Sequence, residues 1–479
     1  MAYLHGAYGQ IEPSGLSVAA SSGTLPVYFG VAPIHQLADY SDKVGVPIML
    51  RSASQARAAI GYSPNWADFT LSEPEYLHFM SAEPAGPIAV VNVFDPEIHK
   101  PSTKTSASIV FVAGKATLVD AAAIVKTFAM AAPNEAVAVT AVFGDDGKTL
   151  TITDATGTLS GELTVSYYKA DVSAITPENI VAAIVAATPL VYQTCGVIPS
   201  IMAAPGHSQL AAINTALKGA AQAINGHFNA FVYSDIECVE THKIDEAIAK
   251  KGADLRTAAI ETPCWPMATD GEHVFHLSTL SVHRAMLVDA AHDDIPYETA
   301  SNKEIPITGL VVCDKATGAY VKLSFDKLEA NRLNAKGVRT AIYWGGSWRL
   351  WGPHTGAYDY DASTAPEEIF DCSVRMMQYQ SNNFALRYSD TVDKPMHRAL
   401  VDSILDAEQE RLDALVNIGA LLYGKIEFVA ENNTDSDMMS GQFKFATSNT
   451  TTPAARAIIN VYKYTSTGLA VLTAEGSEA

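Results

Sequence analysis

Between Pro96 and about Ile175 the hydrophobic pattern of this chain changes period, while the stretches on either side share one pattern. The segments SIVFVAG, AVAVTAVF, KTLTITDA and GELTVSYY alternate apolar residues with Thr, Ser or Lys, and Gly144-Asp145-Asp146-Gly147-Lys148 supplies a turn between two of them. Alternation with turn signals predicts a small all-β module. Outside it, Pro26–Val31, Pro47–Leu50, Ile88–Phe94 and Ala230–Tyr233 are short apolar runs of the buried-strand kind. Among the helical stretches between such runs, Gln209–Ile224 places Leu210, Ile213, Leu217 and Ala221 on one face. Strands alternating with helices predict an α/β core. Thr176-Pro177-Glu178-Asn179 then reads as a helix start, so the α/β pattern resumes where the β module ends. The module is therefore an insertion, which a host fold tolerates at an exposed loop because its own core stays intact.

At 479 residues the chain exceeds what one hydrophobic core organises. The expected organisation is an N-terminal arm (1–22), a discontinuous α/β core domain (23–95 and 176–355), the inserted β domain (96–175), a C-terminal α+β domain (356–455) and a C-terminal strand and arm (456–479). Pro395–Tyr423 is the longest helical stretch, with Leu400, Ile404, Leu412, Leu415 and Val416 as its apolar stripe. Asp402, Asp406, Glu410 and Asp413 follow one another at helical spacing and form an acidic ridge on it. After the Asn/Asp-rich turn 431–437, Gln442–Ala446 and Ala457–Tyr464 both read as strands.

Acidic residues outnumber basic ones by 52 to 32, giving a net charge of −20, which is the wrong sign for releasing counterions from a nucleic acid backbone. A spanning helix needs about 18 or more uninterrupted apolar residues, and the best candidate, Ile180–Val197, is broken by Pro189 and carries Gln193 and Thr194. Neither a nucleic acid partner nor membrane insertion is expected. The opening MAYLHGAYGQIEPSG lacks the basic, apolar and small-residue regions of a secretory signal, so synthesis and retention in the cytoplasm of the producing cell are expected. Cys195, Cys238, Cys264, Cys313 and Cys372 are scattered, odd in number and in no CxxC pairing, which predicts reduced, mostly buried thiols. Charged residues are only 18% of the chain, as suits a subunit that buries much of its surface against other copies.

The polar clusters read as structural and not as catalytic or metal sites. Pro205-Gly206-His207-Ser208 sets a His beside a Ser, as an α/β hydrolase-like enzyme would use, but no GxSxG elbow accompanies it, and Ser208 reads as a helix N-cap. His273, His276, His283 and His292 make a metal site only if all converge, and structural roles are expected for them instead. Gly345-Gly346-Ser347 lacks the lysine of a phosphate loop, while Trp344, Trp348 and Trp351 are expected in core or interface. No cofactor, metal or catalytic residue is expected.

Several pieces, in order, carry a resemblance: LPVYFGVAP, PLVYQTCGVIPSIMAAPGHSQ, the run from His276 to Leu310, and LNAKGVRTAIYWGGSWRLWGPHT (Leu333–Thr355). In the last, an Asn-x-x-Gly turn leads a strand, a glycine pair turns it, and Arg349 and Trp351-Gly352 close the next strand. Together with the long helix, Asn432-Asn433-Thr434 and Gly441, these resemble the contractile phage tail sheath family. One departure is Pro453-Ala454-Ala455, where the family's usual third residue is Glu.

The resemblance implies a non-enzymatic structural protein of a virion tail, assembled in the bacterial host's cytoplasm. Subunits would stack as hexameric rings around a tail tube and contract to drive the tube through an envelope. The partners implied are copies of itself, the tail tube protein, and baseplate and tail terminator proteins. R-type bacteriocins and other contractile injection particles use similar sheaths. Terminal arms would add strands to neighbouring subunits, with Tyr3, Leu4, Tyr8, Ile11, Ile458, Ile459, Val461 and Tyr462 as the arm-strand residues. A chain segment with no partner of its own and an open strand edge favour such exchange on physical grounds alone. The acidic ridge Asp402, Asp406, Glu410 and Asp413 is expected to face the tube.

Overall fold

The computed structural model describes residues 23–472. Its largest sheet begins with β1 (Pro26–Gly30), β2 (Pro47–Leu50) and β3 (Ile88–Asn92), with helices α1 (Ala53–Ile60) and α2 (Ser72–Phe79) between β2 and β3. The chain then leaves the sheet for β4 (Thr105–Phe111), β5 (Lys115–Val119), β6 (Ala129–Met130), β7 (Val139–Phe143), β8 (Thr149–Asp154) and β9 (Gly161–Tyr167). It returns through α3 (Pro177–Ala187) and α4 (Val191–Cys195) to β10 (Ile201–Ala203), α5 (Ala211–Ala220), β11 (Phe231–Asp235), α6 (Ile244–Ala253) and β12 (Glu261–Cys264).

The sheet order is β12-β11-β10-β1-β3-β2. All pairs are parallel except β2 on β3, at the edge. Side chains alternate across it: Tyr28, Val90, Phe231 and Tyr233 enter one core, while Val27, Phe29, Val91 and Val232 enter another. A sheet covered on both faces must read as continuous apolar runs, as these strands do. Ile180 and Ile184 of α3 with Ile213 and Leu217 of α5 close the second core. Leu77 of α2 joins the first.

The excursion 105–167 forms two three-stranded antiparallel sheets, β4-β9-β6 and β5-β8-β7, around Phe111, Leu150, Ile152 and Val165. It is packed against the main sheet's first core by Ile124, and its Phe143 stacks edge-on to buried His35 at 5.9 Å between ring centres. His35 Nε2 pairs with the Ala121 carbonyl at 2.9 Å. Burial drives this imidazole's pKa down to about 4, so it sits neutral between the two bodies.

Beyond the main sheet come β13 (Met267–Thr269), β14 (Val274–Phe275), α7 (Leu277–Ala290), β15 (Gly309–Cys313), β16 (Tyr320–Leu323) and α8 (Lys327–Ala335). The hairpin β17 (Thr340–Trp344) and β18 (Ser347–Trp351) follows, turning at Gly345 and Gly346, whose φ values of +65° and +92° suit glycine. Next are α9 (Asp371–Arg387), α10 (Arg398–Asn417), β19 (Leu421–Glu427), α11 (Asp435–Met439) and β20 (Ala446–Thr451). β19 and β20 pair antiparallel, and Met376, Leu412, Leu421 and Ile426 form a core between this ribbon and the helices.

Several sequence expectations need correction. The long helix stops at Asn417 and not at Tyr423, because Gly419 takes φ +80° and Ala420–Leu421 turn inward to begin β19. Its buried face is Val401, Ile404, Glu408 and Leu412, with Val401 replacing Leu400. Leu210 precedes α5 and is 45% exposed, whereas Ile213, Leu217 and Ala221 are buried as expected. Gln442–Phe445 is not strand, since Asn433 takes both backbone groups of Lys444, accepting its N–H at 2.7 Å and donating to its carbonyl at 2.9 Å. The strand starts at Ala446 instead. Ala457–Tyr464 is in no strand, and no ladder pairs it with any other of the described residues.

Candidate functional site

The most exposed apolar segment among the described residues lies at the C-terminal end. Ile458, Ile459, Val461, Tyr462 and Tyr464 are between 71% and 94% exposed. Their high β-propensity is matched by no ladder among the described residues. The remaining arm residues expected from sequence, Tyr3, Leu4, Tyr8 and Ile11, lie outside the described residues.

The root of this segment is held. Thr452 donates its backbone N–H to Ala420 and its hydroxyl to Gly419, at 3.3 and 2.6 Å. Four residues later Arg456 donates to the Tyr358 hydroxyl at 2.5 Å and lies 5.7 Å from the Tyr360 ring centre. Residues 454–458 thus run along a groove of about 740 Å³, walled by Asn331, Trp351, His354 and Tyr358.

A second groove, of about 630 Å³, lies between α9, α10 and the β20 strand, with Phe384, Leu412, Leu415, Ile418 and Phe445 in its walls. The acidic ridge occupies α10. Asp406, Glu410 and Asp413 are exposed, and Asp402 is half-buried and paired with Arg398 at 2.7 Å. Asp413 also accepts from Gln409 at 2.9 Å. The acid that sequence reading missed on this helix is Glu408, which is buried. Arg387 grips it through two bonds of 3.0 and 2.7 Å and Tyr388 donates to it at 2.9 Å, locking α9 to α10.

Two further buried ion pairs tie α9 to the α/β sheet. Arg339, following α8, donates to Asp371 at 2.5 Å and to the Gly352 carbonyl at 2.8 Å. Arg375 meets Asp289 of α7, which also accepts from Thr24 at 2.6 Å. Burial opposes the charge on both guanidiniums, but the facing carboxylates outweigh it and raise both above the ordinary arginine value. No sequence signal marks these pairs, whose members lie 32 and 86 positions apart.

The rival readings dissolve in the geometry. Ser208 is no N-cap: α5 begins at Ala211, and the buried Ser208 hydroxyl donates to Asp235 at 3.2 Å while accepting that residue's N–H at 3.0 Å. His207 turns to Thr70, 3.2 Å away, and so is not its base. His276 pairs with Glu73 at 2.6 Å, His273 stacks on Trp66, His283 bonds the Glu83 carbonyl, and His292 bonds Glu298 and Tyr297. Burial works against a charged His276, but Glu73 overrides it and raises the pKa to about 9. Among the described residues, no cluster of three or more His, Cys, Asp or Glu side chains is placed to hold a metal ion. Also among them, no helix is long and apolar enough to cross a membrane. All five cysteines are free, with Cys195 and Cys313 only partly buried. Trp344 is half exposed, with the Lys327 ammonium 4.1 Å from its ring centre.

No family model matches the chain. A tail sheath protein of Burkholderia phage BcepMu is 24% identical over 477 residues, covering 92% of this chain and 92% of that protein. Along nearly its whole length, then, the chain is similar to a contractile tail sheath protein. Several solved structures share its fold. A chain of the anti-feeding prophage baseplate aligns with 97% of this chain and 100% of its own length at 13% identity and TM-score 0.57. A chain of the PVC sheath complex, from an extracellular contractile injection system in the contracted state, aligns over 97% and 98% at 12% identity and TM-score 0.56. The sheath tail protein of Desulfitobacterium hafniense aligns over 88% and 93% at 9% identity and TM-score 0.51. The mixed α/β architecture is therefore the fold that these solved structures share.

Proposed function

We propose that this sheath subunit polymerises as stacked hexameric rings around a tail tube and contracts to drive the tube through a target envelope. The similarity along 92% of the chain to a tail sheath protein carries this reading. Baseplate and terminator proteins cap the stack, and the particle is a phage tail or a related injection particle such as an R-type bacteriocin. It is assembled in the host cytoplasm, catalyses no reaction, and needs no cofactor.

Within the subunit, 23–95 with 176–355 is the α/β body, 96–175 the inserted β domain, and 356–455 the C-terminal unit, with arms at 1–22 and 456–479. The apolar C-terminal segment around Ile458, Ile459, Val461 and Tyr462 gains its missing ladder from a neighbouring subunit, as does the N-terminal segment around Tyr3, Leu4, Tyr8 and Ile11. Backbone ladders hold while side-chain interfaces change, so linked subunits rotate without dissociating. Asp402, Asp406, Glu410 and Asp413 face the tube, where individually weak charge pairs multiply around a ring.

Expressing the full chain and imaging it by negative-stain electron microscopy tests this. Tubes or stacked six-fold rings, lost on deleting residues 1–15 or 457–479, are expected. Monomers or small closed oligomers unaffected by those deletions would overturn it.

A further inference from the structure

We infer that residues 454–458 form a peelable clasp that sets how much chain the C-terminal arm has available. This rests on the reading that the arm links neighbouring subunits, and goes beyond it by locating a release point. Thr452 is tied to Gly419 and Ala420, at the junction of α10 and β19. Arg456 is tied to Tyr358 and set beside Tyr360, in the segment that follows the β17–β18 hairpin. The strap therefore bridges two bodies of the subunit, and past Ile458 every large apolar side chain up to Tyr464 stands in solvent.

The two anchor points differ in strength. At Thr452 the strap continues directly from β20, which is zipped to β19 over six residue pairs. At Arg456 it is held by one side-chain hydrogen bond and one ring contact, and the arginine is itself exposed, so water competes for both. Tyr358, by contrast, is buried and stacked on His354 with ring centres 3.8 Å apart, so the receiving side is rigid. Tension on the arm peels the weaker point first. Release moves the pivot of the arm from about residue 458 back to 453, freeing five residues, or roughly 17 Å of extended chain. That slack lengthens an inter-subunit tether when rings shift during contraction.

Arg456→Ala and Tyr358→Phe each remove one side of the clasp without touching the β19–β20 ladder. Hydrogen exchange on the full-length chain before assembly should show backbone amides of 454–458 exchanging about ten-fold faster in both variants, with 446–451 unchanged. Equal exchange in wild type and variants would overturn the clasp. In assembled sheaths, the variants should contract at a lower urea concentration than wild type. An unchanged threshold would overturn its role in contraction. If wild type forms no sheath at all, the assembly reading fails, while the exchange experiment still decides whether the clasp exists.

Discussion

Glu75 offers the sharpest quantitative test. It sits on α2, fully buried, and among the described residues neither carboxylate oxygen has a hydrogen-bonding partner. Burial raises its pKa from 4.5 to about 8, and Arg57 opposes this only weakly. Glu75 is therefore protonated in the folded subunit at neutral pH and ionised in the unfolded chain. A pKa raised by folding gives stability that is complete below the unfolded value of 4.5 and is lost as pH climbs through the folded value of about 8. At pH 7 the cost is about 2.5 units at 1.36 kcal/mol each, or about 3 kcal/mol.

Glu75→Gln removes the ionisation while keeping the shape. Its amide brings a pH-independent cost of about 1 to 3 kcal/mol if its hydrogens stay unpaired. The change in the mutant-minus-wild-type difference across pH is thus the clean quantity. Urea unfolding followed by tryptophan fluorescence at pH 4.5, 6, 7 and 8.5 should show that difference moving in the mutant's favour by about 3 kcal/mol between pH 4.5 and 7. A pH-independent difference, or one moving against the mutant as pH rises, would refute the reasoning.

Other outcomes follow from the same structure. His276 has its pKa raised from 6.5 to about 9 by Glu73, so the pair's stabilisation is complete below pH 6.5 and lost as pH rises through 9. His276→Gln should destabilise by about 3 kcal/mol at pH 6 and by much less at pH 9.5, read from urea midpoints. Arg375→Met strands Asp289 in the interior and should cost about 3 to 5 kcal/mol, with Asp289→Leu in the same background recovering much of the loss. Gly337→Ala places a Cβ against the Thr355 and Tyr358 carbonyls at φ +66°, and should lower the thermal midpoint by several degrees or abolish folding. Reversing Asp402, Asp406, Glu410 and Asp413 to Lys should weaken assembly on the tube without changing the monomer's urea midpoint. Unchanged assembly in low salt would remove them from the tube interface.

Local pattern was enough for the elements whose own residues impose their form. β1, β2 and β3 read as nearly continuous apolar runs, with Asn92 at the end of β3 the exception, because both their faces are covered. The strands of 105–167 alternate because one face of each sheet meets solvent. Thr176, Pro177 and Asn179 start α3 by chemistry confined to four residues, with the Asn179 side chain accepting the Thr176 N–H at 2.9 Å.

Where a distant partner decides, sequence reading stopped short. Leu421–Tyr423 has helical neighbours and became strand only because Thr450 and Thr451 lie across from it. Ser208 looked like a cap, and Asp235, 27 positions away, claimed its hydroxyl. Glu408 looked like one more surface acid until Arg387 and Tyr388 folded over it. The chain by itself determined the strand and helix inventory of the α/β body, the β interruption within it, and the apolar character of the C-terminal segment. Tertiary structure alone decided which charges are buried and paired and which residues Arg456 meets, because those choices depend on desolvation and on groups brought together from far apart in the chain.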